Sequence, residues 1–352
     1  MGPLGIQRLA PTLTAIVMTL AACGESPLAP EIQSGSEIQS GSLTGSTGGG
    51  ALSGESSNPL RGARLFVDPN SNAARQVADW RPSRPGDAAA LEKIAAQPHA
   101  TWFGDWTAQL FETVRDETRR IRSTGSLPVY VLYNIPNRDC GLYSSGGANG
   151  AAAYERWIAD VARGIGSEEA VVVLEPDALA GMDCLPEGAQ SERISMLEKA
   201  VRTLKAGGNT RVYIDAGNAR WVGAGEMAAR LRKVGIALAD GFALNVSNFL
   251  PDSETIQFGN ALSAQVGGKH FVIDTSRNGA GAAPDVAWCN PGGRALGSKP
   301  TVSTGHANVD AFLWIKAPGE SDGECNGGPR AGSWWADYAL ELARRANWSA
   351  SS

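Results

Sequence analysis

The stretch Val171-Val-Val-Leu-Glu-Pro-Asp177 shows the pattern that decides the fold, a short apolar run followed at once by acidic residues. Because such runs are short, rich in β-branched or aromatic residues and apolar almost throughout, they predict strands that are buried on both faces. Including the run at 171–174, the chain contains seven of them, at residues 64–67, 128–133, 171–174, 211–214, 241–246, 270–273 and 311–315.

Between these runs lie longer segments in which apolar residues recur three and four positions apart, as on one face of a helix. The alternation of strands and helices predicts a parallel sheet with helices outside it. About seven such units fit a (β/α) barrel, with a doubly wound open sheet as the alternative. The clearest predicted helices are residues 154–164, 191–205, 226–238 and 254–266.

Acidic residues follow five of the predicted strands. One Asp after a strand often only caps a helix or begins a turn. Five such strand ends, with Arg138, Arg277 and Lys316 among them, instead predict a ring of carboxylates at the C-terminal mouth of a barrel, where barrel active sites lie. Mutual repulsion there would raise some carboxyl pKa values, as an acid catalyst requires. The acids are Asp139, Glu175, Asp177, Asp215, Asp274, Glu320 and Asp322.

The composition of the chain excludes several reaction classes for the predicted site at the C-terminal strand ends. The net charge of −5 disfavours nucleic-acid binding. With three His residues in the chain and none at a strand end, two-metal hydrolysis is disfavoured. The segment 319–323 fits a serine-hydrolase motif, but no His follows His306 to complete it. Carboxylates together with ten Trp residues suit glycoside hydrolysis, and we expect neither metal nor cofactor.

The N-terminal region predicts export. Arg8 precedes an apolar run over residues 13–20, so residues 1–22 have the layout of a signal peptide. The tetrad Leu20-Ala-Ala-Cys23 resembles a bacterial lipobox, which predicts lipidation of Cys23; a plain secretory signal is the alternative. We expect a cell-surface or periplasmic lipoprotein, otherwise a secreted protein, that is monomeric and meets the membrane only through this lipid.

The remaining chain divides into a linker and one domain. Residues 23–58 are rich in Ser and Gly and contain a tandem Glu-Ile-Gln-Ser-Gly-Ser repeat, which predicts a flexible tether. Residues 59–352 form the predicted catalytic domain. This domain holds four cysteines, and in an oxidising compartment an even number predicts two disulfides, with three pairings open. A zinc site is disfavoured because no C-x-x-C spacing occurs among Cys140, Cys184, Cys289 and Cys325.

Seven motifs resemble glycoside hydrolase family 6, the inverting endo-β-1,4-glucanases and cellobiohydrolases, and the likeness runs in order from about Phe66 to the C-terminus. They are Tyr133-Asn-Ile-Pro-Asn-Arg-Asp-Cys-Gly141, Glu175-Pro-Asp-Ala-Leu-Ala180, Tyr213-Ile-Asp-Ala-Gly217, Leu244-Asn-Val-Ser-Asn248, Ile273-Asp-Thr-Ser-Arg-Asn-Gly279, Trp288-Cys-Asn-Pro291 and Trp314-Ile-Lys-Ala-Pro-Gly-Glu-Ser-Asp-Gly323. The resemblance implies a distorted barrel of about seven parallel strands with an active-site cleft at the C-terminal strand ends.

The resemblance also implies roles for individual residues. Asp177 matches the general acid, and Asp139 the carboxylate that raises the pKa of that acid. Tyr133 matches the tyrosine that crowds the distorted sugar ring, and Asp215 a carboxylate that supports the charge balance. Asp322 matches the proposed base, acting on water directly or through a water chain.

Further positions match residues that contact the sugar or the catalytic water. Asn218 departs from the family pattern, since many members have His there. The implied disulfides are Cys140–Cys184 and Cys289–Cys325. The implied substrate-binding residues are Trp102, Ser145, Asn218, Trp221, Asn245, Trp288, Lys316 and Glu320.

The loops after Asp177 and between Trp288 and Lys316 are short and contain no long insertion that could roof a tunnel. A cleft admits internal bonds, whereas a tunnel encloses a chain end. The sequence therefore predicts an endoglucanase that acts on β-1,4-glucan or cello-oligosaccharides. The alternatives are a processive cellobiohydrolase and a non-catalytic glucan-binding surface lipoprotein.

Overall fold

The structure, a computed structural model, describes residues 58–348. The predicted signal peptide, Cys23 and the linker up to residue 57 lie outside the described residues. The described part begins at Asn58, whose side-chain amide donates to the carbonyl oxygens of Val302 (3.1 Å) and Asp310 (2.8 Å). None of the described helices combines the length and apolar character needed to cross a membrane.

Seven parallel strands follow one another in chain order across one sheet. The sheet curls into a half-barrel, and one hydrogen bond links the segments beside its two edge strands, from the Ala100 N–H to the Trp314 carbonyl at 2.9 Å. This confirms the predicted fold class, a distorted (β/α) barrel. The strands are β1 (Thr101–Phe103), β2 (Val129–Leu132), β3 (Ala170–Leu174), β4 (Thr210–Asp215), β5 (Gly241–Leu244), β6 (His270–Asp274) and β7 (Val309–Leu313).

An α-helix follows each of the strands β1 to β5, while a long loop with one short 3-10 helix, Pro284–Val286, joins β6 to β7. The four helices predicted from periodicity are confirmed, with bounds that differ by a few residues. The helices are α1 (Asn72–Trp80), α2 (Pro85–Ala95), α3 (Leu110–Ser123), α4 (Ala151–Ile165), α5 (Glu187–Lys205), α6 (Ala224–Lys233), α7 (Asp252–Gln265) and α8 (Ala336–Arg345).

Both faces of the sheet are buried, which explains why its strands are apolar almost throughout. Val131, Val171 and Val173 belong to the cluster inside the barrel, together with residues of β4 to β7. Their neighbours in sequence, such as Val172 and Leu174, pack against the surrounding helices. Within the strands Asp310 pairs with Tyr213 and His270, while the acids predicted above lie at the strand ends and in the loops after them.

The prediction of a first strand at residues 64–67 is wrong. Of these residues only Leu65 pairs with the sheet, through one isolated bridge to Leu127. The first strand is instead β1, which the sequence reasoning missed. β1 is three residues long and Trp102 within it is partly exposed, so the segment lacks the length and uniform burial of the other strands.

Candidate active site

A cleft of about 370 Å³ opens at the C-terminal ends of the strands. Its walls come from the loops that follow β2, β3, β4, β5, β6 and β7, and from Trp102 in β1. Carboxylates, aromatic rings and one lysine line it together. The predicted site residues among its walls are Trp102, Tyr133, Asp139, Asp177, Asn218, Trp221, Trp288, Lys316 and Asp322.

Asp177 reaches the cleft through an unusual backbone turn directly after β3. Glu175 and Asp177 both have positive φ, 49° and 67°, in the left-handed region that side chains other than glycine rarely adopt. Such conformations cluster at functional sites, where the surrounding structure holds them in place. Here the backbone N–H of Asp177 donates to Asp215 Oδ1 at 2.9 Å. The turn presents a partly accessible Asp177 carboxyl to the cleft.

The pKa of Asp177 is raised well above its usual value. Burial is the largest cause, because it disfavours the charged carboxylate. The negative charges of Asp215, Asp139 and Asp322 raise the pKa further. A carboxyl in this environment keeps its proton at a pH where an ordinary aspartate has lost it, which is the property that an acid catalyst needs.

Asp215 ends β4 and lies behind Asp177 rather than in the wall of the cleft. Its side chain is buried, and Oδ1 accepts from the N–H groups of Asp177 (2.9 Å) and Gly217 (3.0 Å). The other oxygen, Oδ2, is buried without a partner among the described residues. Burial raises the pKa of Asp215 to about 7. The residue thus fixes the backbone of Asp177 and adds charge close to it.

Asp139 approaches the cleft from the loop after β2. Its Oδ2 accepts from the Ser144 N–H at 2.6 Å, which closes the loop around it. Burial raises the pKa of this carboxyl above its usual value. The next residue, Cys140, forms a disulfide with Cys184 in the loop after β3. The loops that carry Asp139 and Asp177 are therefore joined covalently.

Asp322 is held from several sides in the loop after β7. Arg277, which is fully buried, donates to Asp322 Oδ2 at 2.8 Å, and the Asn290 N–H donates to the same oxygen at 3.0 Å. Asn290 Oδ1 in turn accepts from the Asp322 N–H at 2.8 Å. Lys316 Nζ lies 3.8 Å from Asp322 Oδ1. The second disulfide, Cys289–Cys325, spans this same region.

Two of the strand-end acids bind backbone rather than facing the cleft. Glu175 is buried and accepts from the N–H groups of Asn134 and Ile135, each at 3.0 Å, in the loop after β2. Asp274 is fully buried and accepts from Ser247 (2.9 Å) and Lys316 (3.0 Å), which follow the two strands beside β6. These carboxylates join the loops of neighbouring strands and so fix the shape of the mouth.

Aromatic rings form the apolar part of the walls. Tyr133 meets Trp102 edge to face, with 5.4 Å between ring centroids, and Trp102 is oriented by a hydrogen bond from its Nε1 to the Ile315 carbonyl at 2.8 Å. Trp221 is 46% exposed and Trp288 40%, although both are large apolar side chains. Exposed indoles in a polar cleft are suited to stacking on sugar rings.

A second compartment, of about 1180 Å³, adjoins the first and shares Trp102, Tyr133, Ser144 and Lys316 with it. Glu320 and Ser145 line this compartment but not the first one. Burial raises the pKa of the Glu320 carboxyl. The two compartments make one groove that runs past the carboxylates.

The structure corrects the prediction that Asn245 contacts substrate. Asn245 is fully buried and lines neither compartment. Its amide donates to the Asp274 carbonyl at 2.9 Å and its Oδ1 accepts from the Leu250 N–H at 3.1 Å, so it shapes the loop after β5. Its neighbours Ser247 and Asn248 line the cleft instead.

Sequence reasoning did not identify Arg138 and Ser144 as site residues, although Arg138 was noted among the acids. Ser144 rather than Ser145 lines the compartment that contains Asp177. Arg138 is buried and donates to the carbonyl oxygens of Tyr133 (2.7 Å) and Ser144 (2.7 Å). A buried arginine beside a strand-end acid is a signal that could have identified this anchor of the loop.

Both disulfides pair as the family resemblance implied. The Cα atoms are 6.1 Å apart in Cys140–Cys184 and 6.2 Å apart in Cys289–Cys325. Within the described residues, no group of three or more His, Cys, Asp and Glu side chains is arranged to hold a metal ion.

Comparison with known proteins places the chain in a family. The family described as Glycosyl hydrolases family 6 matches residues 60–346. Endoglucanase A from Cellulomonas fimi is 46% identical over 287 residues, which make up 81% of this chain and 62% of that protein, so the chain spans less than two thirds of this relative. Endoglucanase 1 from Streptomyces halstedii is 42% identical over 79% of this chain and 88% of its own length.

Solved structures give the same result. The endoglucanase Cel6 from Mycobacterium tuberculosis, in complex with methyl-cellobiosyl-4-deoxy-4-thio-β-D-cellobioside, superposes with a TM-score of 0.79 at 46% identity. The likeness covers 82% of this chain and 99% of that one. The cellobiohydrolase Cel6A core from Chaetomium thermophilum has a TM-score of 0.72 at 28% identity, over 82% and 99% of the two chains. The chain therefore belongs to glycosyl hydrolases family 6.

Proposed function

We propose that the protein is an endoglucanase that hydrolyses internal β-1,4-glucosidic bonds of cellulose or a related β-glucan with inversion at the anomeric carbon. The observation that carries this proposal is the position of Asp177, a carboxyl with a strongly raised pKa among three further aspartates in an aromatic-lined cleft. Glycosidases require one protonated carboxylic acid and a second group that activates water.

In this mechanism Asp177 donates its proton to the glycosidic oxygen as the bond to the anomeric carbon breaks. Asp139 and Asp215 keep that proton on Asp177 before the reaction, and their negative charge stabilises the positive charge that develops at the sugar. Asp215 acts from behind the cleft, through its hydrogen bond to the Asp177 backbone. Tyr133 crowds the sugar ring at the point where the two compartments meet.

Asp322 is the proposed base. Its ion pair with Arg277 and its hydrogen bond from Asn290 leave Oδ1, the oxygen nearer Lys316, available to water. The proton of the attacking water passes to this carboxylate directly or through a chain of water molecules. For inversion, acid and base stand about 6.5–9.5 Å apart so that water fits between them.

The remaining substrate contacts follow from the walls of the groove. We propose that Trp221 and Trp288 stack on glucosyl rings on one side of the cleaved bond, since both line the compartment of Asp177. Trp102, Lys316 and Glu320 hold the chain where the second compartment begins. Asn218, buried at the edge of the cleft, supplies a polar contact in the position where many members have His.

Two observations favour endo over exo action. The aromatic side chains of the groove are 40% to 46% exposed at Trp221 and Trp288, whereas a roof over the site would cover them. Relatives at 42% to 46% identity are named endoglucanases, while those named cellobiohydrolases include one at 28%. An open cleft accepts the middle of a glucan chain without a free end.

We further propose that the protein is exported, with Cys23 lipidated. Disulfides persist mainly outside the cytoplasm, and two of them join the loops of the active site. We also propose that the protein acts as a monomer. Mass spectrometry of the N-terminal peptide tests lipidation: a diacylglyceryl mass on Cys23 is expected, and an unmodified Cys23 or cleavage elsewhere would contradict it.

Proton NMR of the first product released from cello-oligosaccharides tests the reaction. The proposal predicts that the α-anomer appears first from a β-linked substrate, whereas early β-anomer would mean retention and no cleavage would remove the proposed activity. Viscosity of carboxymethylcellulose tests the mode: a fast fall relative to the release of reducing ends indicates endo action. A slow fall with cellobiose as the sole early product would indicate a processive cellobiohydrolase.

A further inference from the structure

The loop directly after β1, residues 104–106, lines the second compartment and has no part in the site described above. It runs Gly104-Asp105-Trp106 at the same mouth of the barrel as the strand-end acids. Asp105 and Trp106 both line this compartment, which is about three times as large as the one that contains Asp177. A groove of this size extends well beyond the catalytic carboxylates.

Trp106 is more exposed than any other large apolar residue of residues 58–348, with 56% of its surface accessible. Its indole nevertheless has a fixed place, because it lies directly on the backbone of Gly104. A Cβ atom added to Gly104 would stand 2.3 Å from the Trp106 ring, closer than real contacts allow. Only glycine at position 104 lets the ring rest there, while more than half of the surface of Trp106 stays accessible.

Arg138 connects this indole to the catalytic cleft. Its guanidinium carbon lies 5.1 Å from the Trp106 ring centroid and 4.7 Å from that of Tyr133. Asp105 anchors the arrangement, since Oδ1 accepts from Arg138 at 3.2 Å and Oδ2 accepts from the Gly147 N–H at 3.1 Å. The ring is therefore positioned before any ligand arrives, which lowers the entropic cost of binding.

We propose that Trp106 is the stacking surface of a further glucosyl subsite, at the outer part of the second compartment. The occupant is the continuation of the β-1,4-glucan that lies in the cleft, because the two compartments form one groove. A flat exposed indole beside polar groups matches a pyranose ring, which has an apolar face and a rim of hydroxyl groups. Asp105 and Ser145 line the same compartment and offer acceptors and donors to that rim.

This inference rests on the proposed function and adds a prediction about substrate length. A subsite far from the cleaved bond is filled only by chains long enough to reach it. Trp106 would then favour long cello-oligosaccharides over short ones. If Trp106 merely covered Arg138, its loss would disturb Tyr133 and Ser144 and would slow substrates of every length alike.

The experiment compares cellotetraose with cellohexaose in two assays. Hydrolysis by the full protein gives kcat/KM for each substrate, and calorimetric titration of the Asp177→Ala protein gives the two dissociation constants without turnover. The variants are Trp106→Ala, Trp106→Phe and Gly104→Ala, whose new Cβ displaces the indole. Leu238→Ala removes an apolar side chain of 44% exposure that lines neither compartment, and serves as the matched control.

Trp106→Ala and Gly104→Ala are expected to lower the preference for cellohexaose over cellotetraose by about tenfold in both assays. Trp106→Phe keeps most of the preference, and Leu238→Ala keeps all of it. An unchanged preference in Trp106→Ala, or an equal loss for both lengths, would overturn the subsite. Failure of the unsubstituted protein to cleave either sugar would contradict the proposed function instead, and the binding ratio would still decide the role of Trp106.

Discussion

At the scale of single residues, the site works by keeping one aspartate protonated among others. The pKa of Asp177, the proposed acid, is raised by burial and then by three neighbouring carboxylates. Among these carboxylates Asp215 raises the pKa of Asp177 most, followed by Asp139 and then Asp322. An isolated aspartate on the protein surface would be deprotonated under the same conditions, so the surroundings rather than the residue type create the acid.

Removing one of these charges should move the pH dependence of activity. In Asp139→Asn the negative charge beside Asp177 is lost, so the pKa of Asp177 falls towards its usual value. Because only protonated Asp177 can donate, activity would begin to fall at a lower pH than in the unsubstituted protein. We expect the alkaline limb of the kcat profile to shift to lower pH.

Asp160→Asn, which removes a surface acid paired with Arg163, is the control and should leave the limb in place. The test is to measure kcat on carboxymethylcellulose as a function of pH for both variants and for the unsubstituted protein. An unmoved alkaline limb in Asp139→Asn, or a shift to higher pH, would contradict the electrostatic role given to Asp139.

The strand-end acids were predicted from the sequence, but their ranking was not. Asp177 and Glu175 stand two residues apart after the same strand, yet one faces the cleft and the other accepts from backbone of the neighbouring loop. The difference depends on positive φ at both residues and on where the loop after β2 places Asn134. Such contacts join distant parts of the chain, and no local pattern encodes them. The family resemblance supplied the ranking instead.

At the scale of elements, the disulfides fix the loops that carry the acids. Cys140–Cys184 joins loops after β2 and β3, and Cys289–Cys325 joins loops after β6 and β7. The bonds close segments of 44 and 36 residues. In the chain-entropy view each stabilises the fold by about 4 kcal/mol, mostly by restricting the unfolded chain.

The double variant Cys140→Ala/Cys184→Ala should lower the free energy of unfolding by about 2–4 kcal/mol, measured by urea denaturation. Because Asp139 adjoins Cys140, we also expect the alkaline limb of the kcat profile to shift to lower pH. The double variant Cys289→Ala/Cys325→Ala is the comparison, with a similar loss of stability and a smaller shift, because Asp322 in that region raises the pKa of Asp177 less than Asp139 does. Loss of stability without any shift in the first variant would show that the bond does not position Asp139.

Strand prediction succeeded where a strand is buried on both sides and failed at the edge of the sheet. β3 is wholly apolar because barrel interior and helices cover its two faces. β1 has one neighbouring strand and contributes Trp102 to the cleft, so it carries a mixture of exposed and buried positions. Residues 64–67 imitate a strand in composition but reach the sheet only at Leu65. Edge pairing is a tertiary property that composition does not determine.

At the scale of the whole molecule, buried acids make stability depend on pH. Burial raises the pKa of Glu175 and of Asp215 to about 7. The folded protein therefore binds protons at these sites that the unfolded chain has already released. The free energy of unfolding should fall as the pH rises from the unfolded values, 4.5 and 3.8, through about 7.

Glu175→Gln should flatten this slope, by at most about 1.4 kcal/mol per pH unit, because one titrating group is removed. Glu254→Gln is the control. The hydrogen bond to Arg220 lowers the pKa of Glu254, so its contribution to the free energy of unfolding changes with pH only below the range in which Glu175 titrates. Urea denaturation between pH 5 and pH 7.5 gives the free energy of unfolding of both variants and of the unsubstituted protein. An equal slope in Glu175→Gln and in the unsubstituted protein would contradict the assignment.

The central claim is that Asp177 protonates the leaving oxygen, and its removal tests this most directly. The kcat of Asp177→Ala is measured on cello-oligosaccharides, whose leaving group needs a proton, and on an aryl cellobioside whose phenol leaves without one. We predict a loss of about 10²–10⁴ in kcat for the oligosaccharides and a much smaller loss for the aryl substrate. Full activity on the oligosaccharides, or an equal loss on both substrates, would contradict the account.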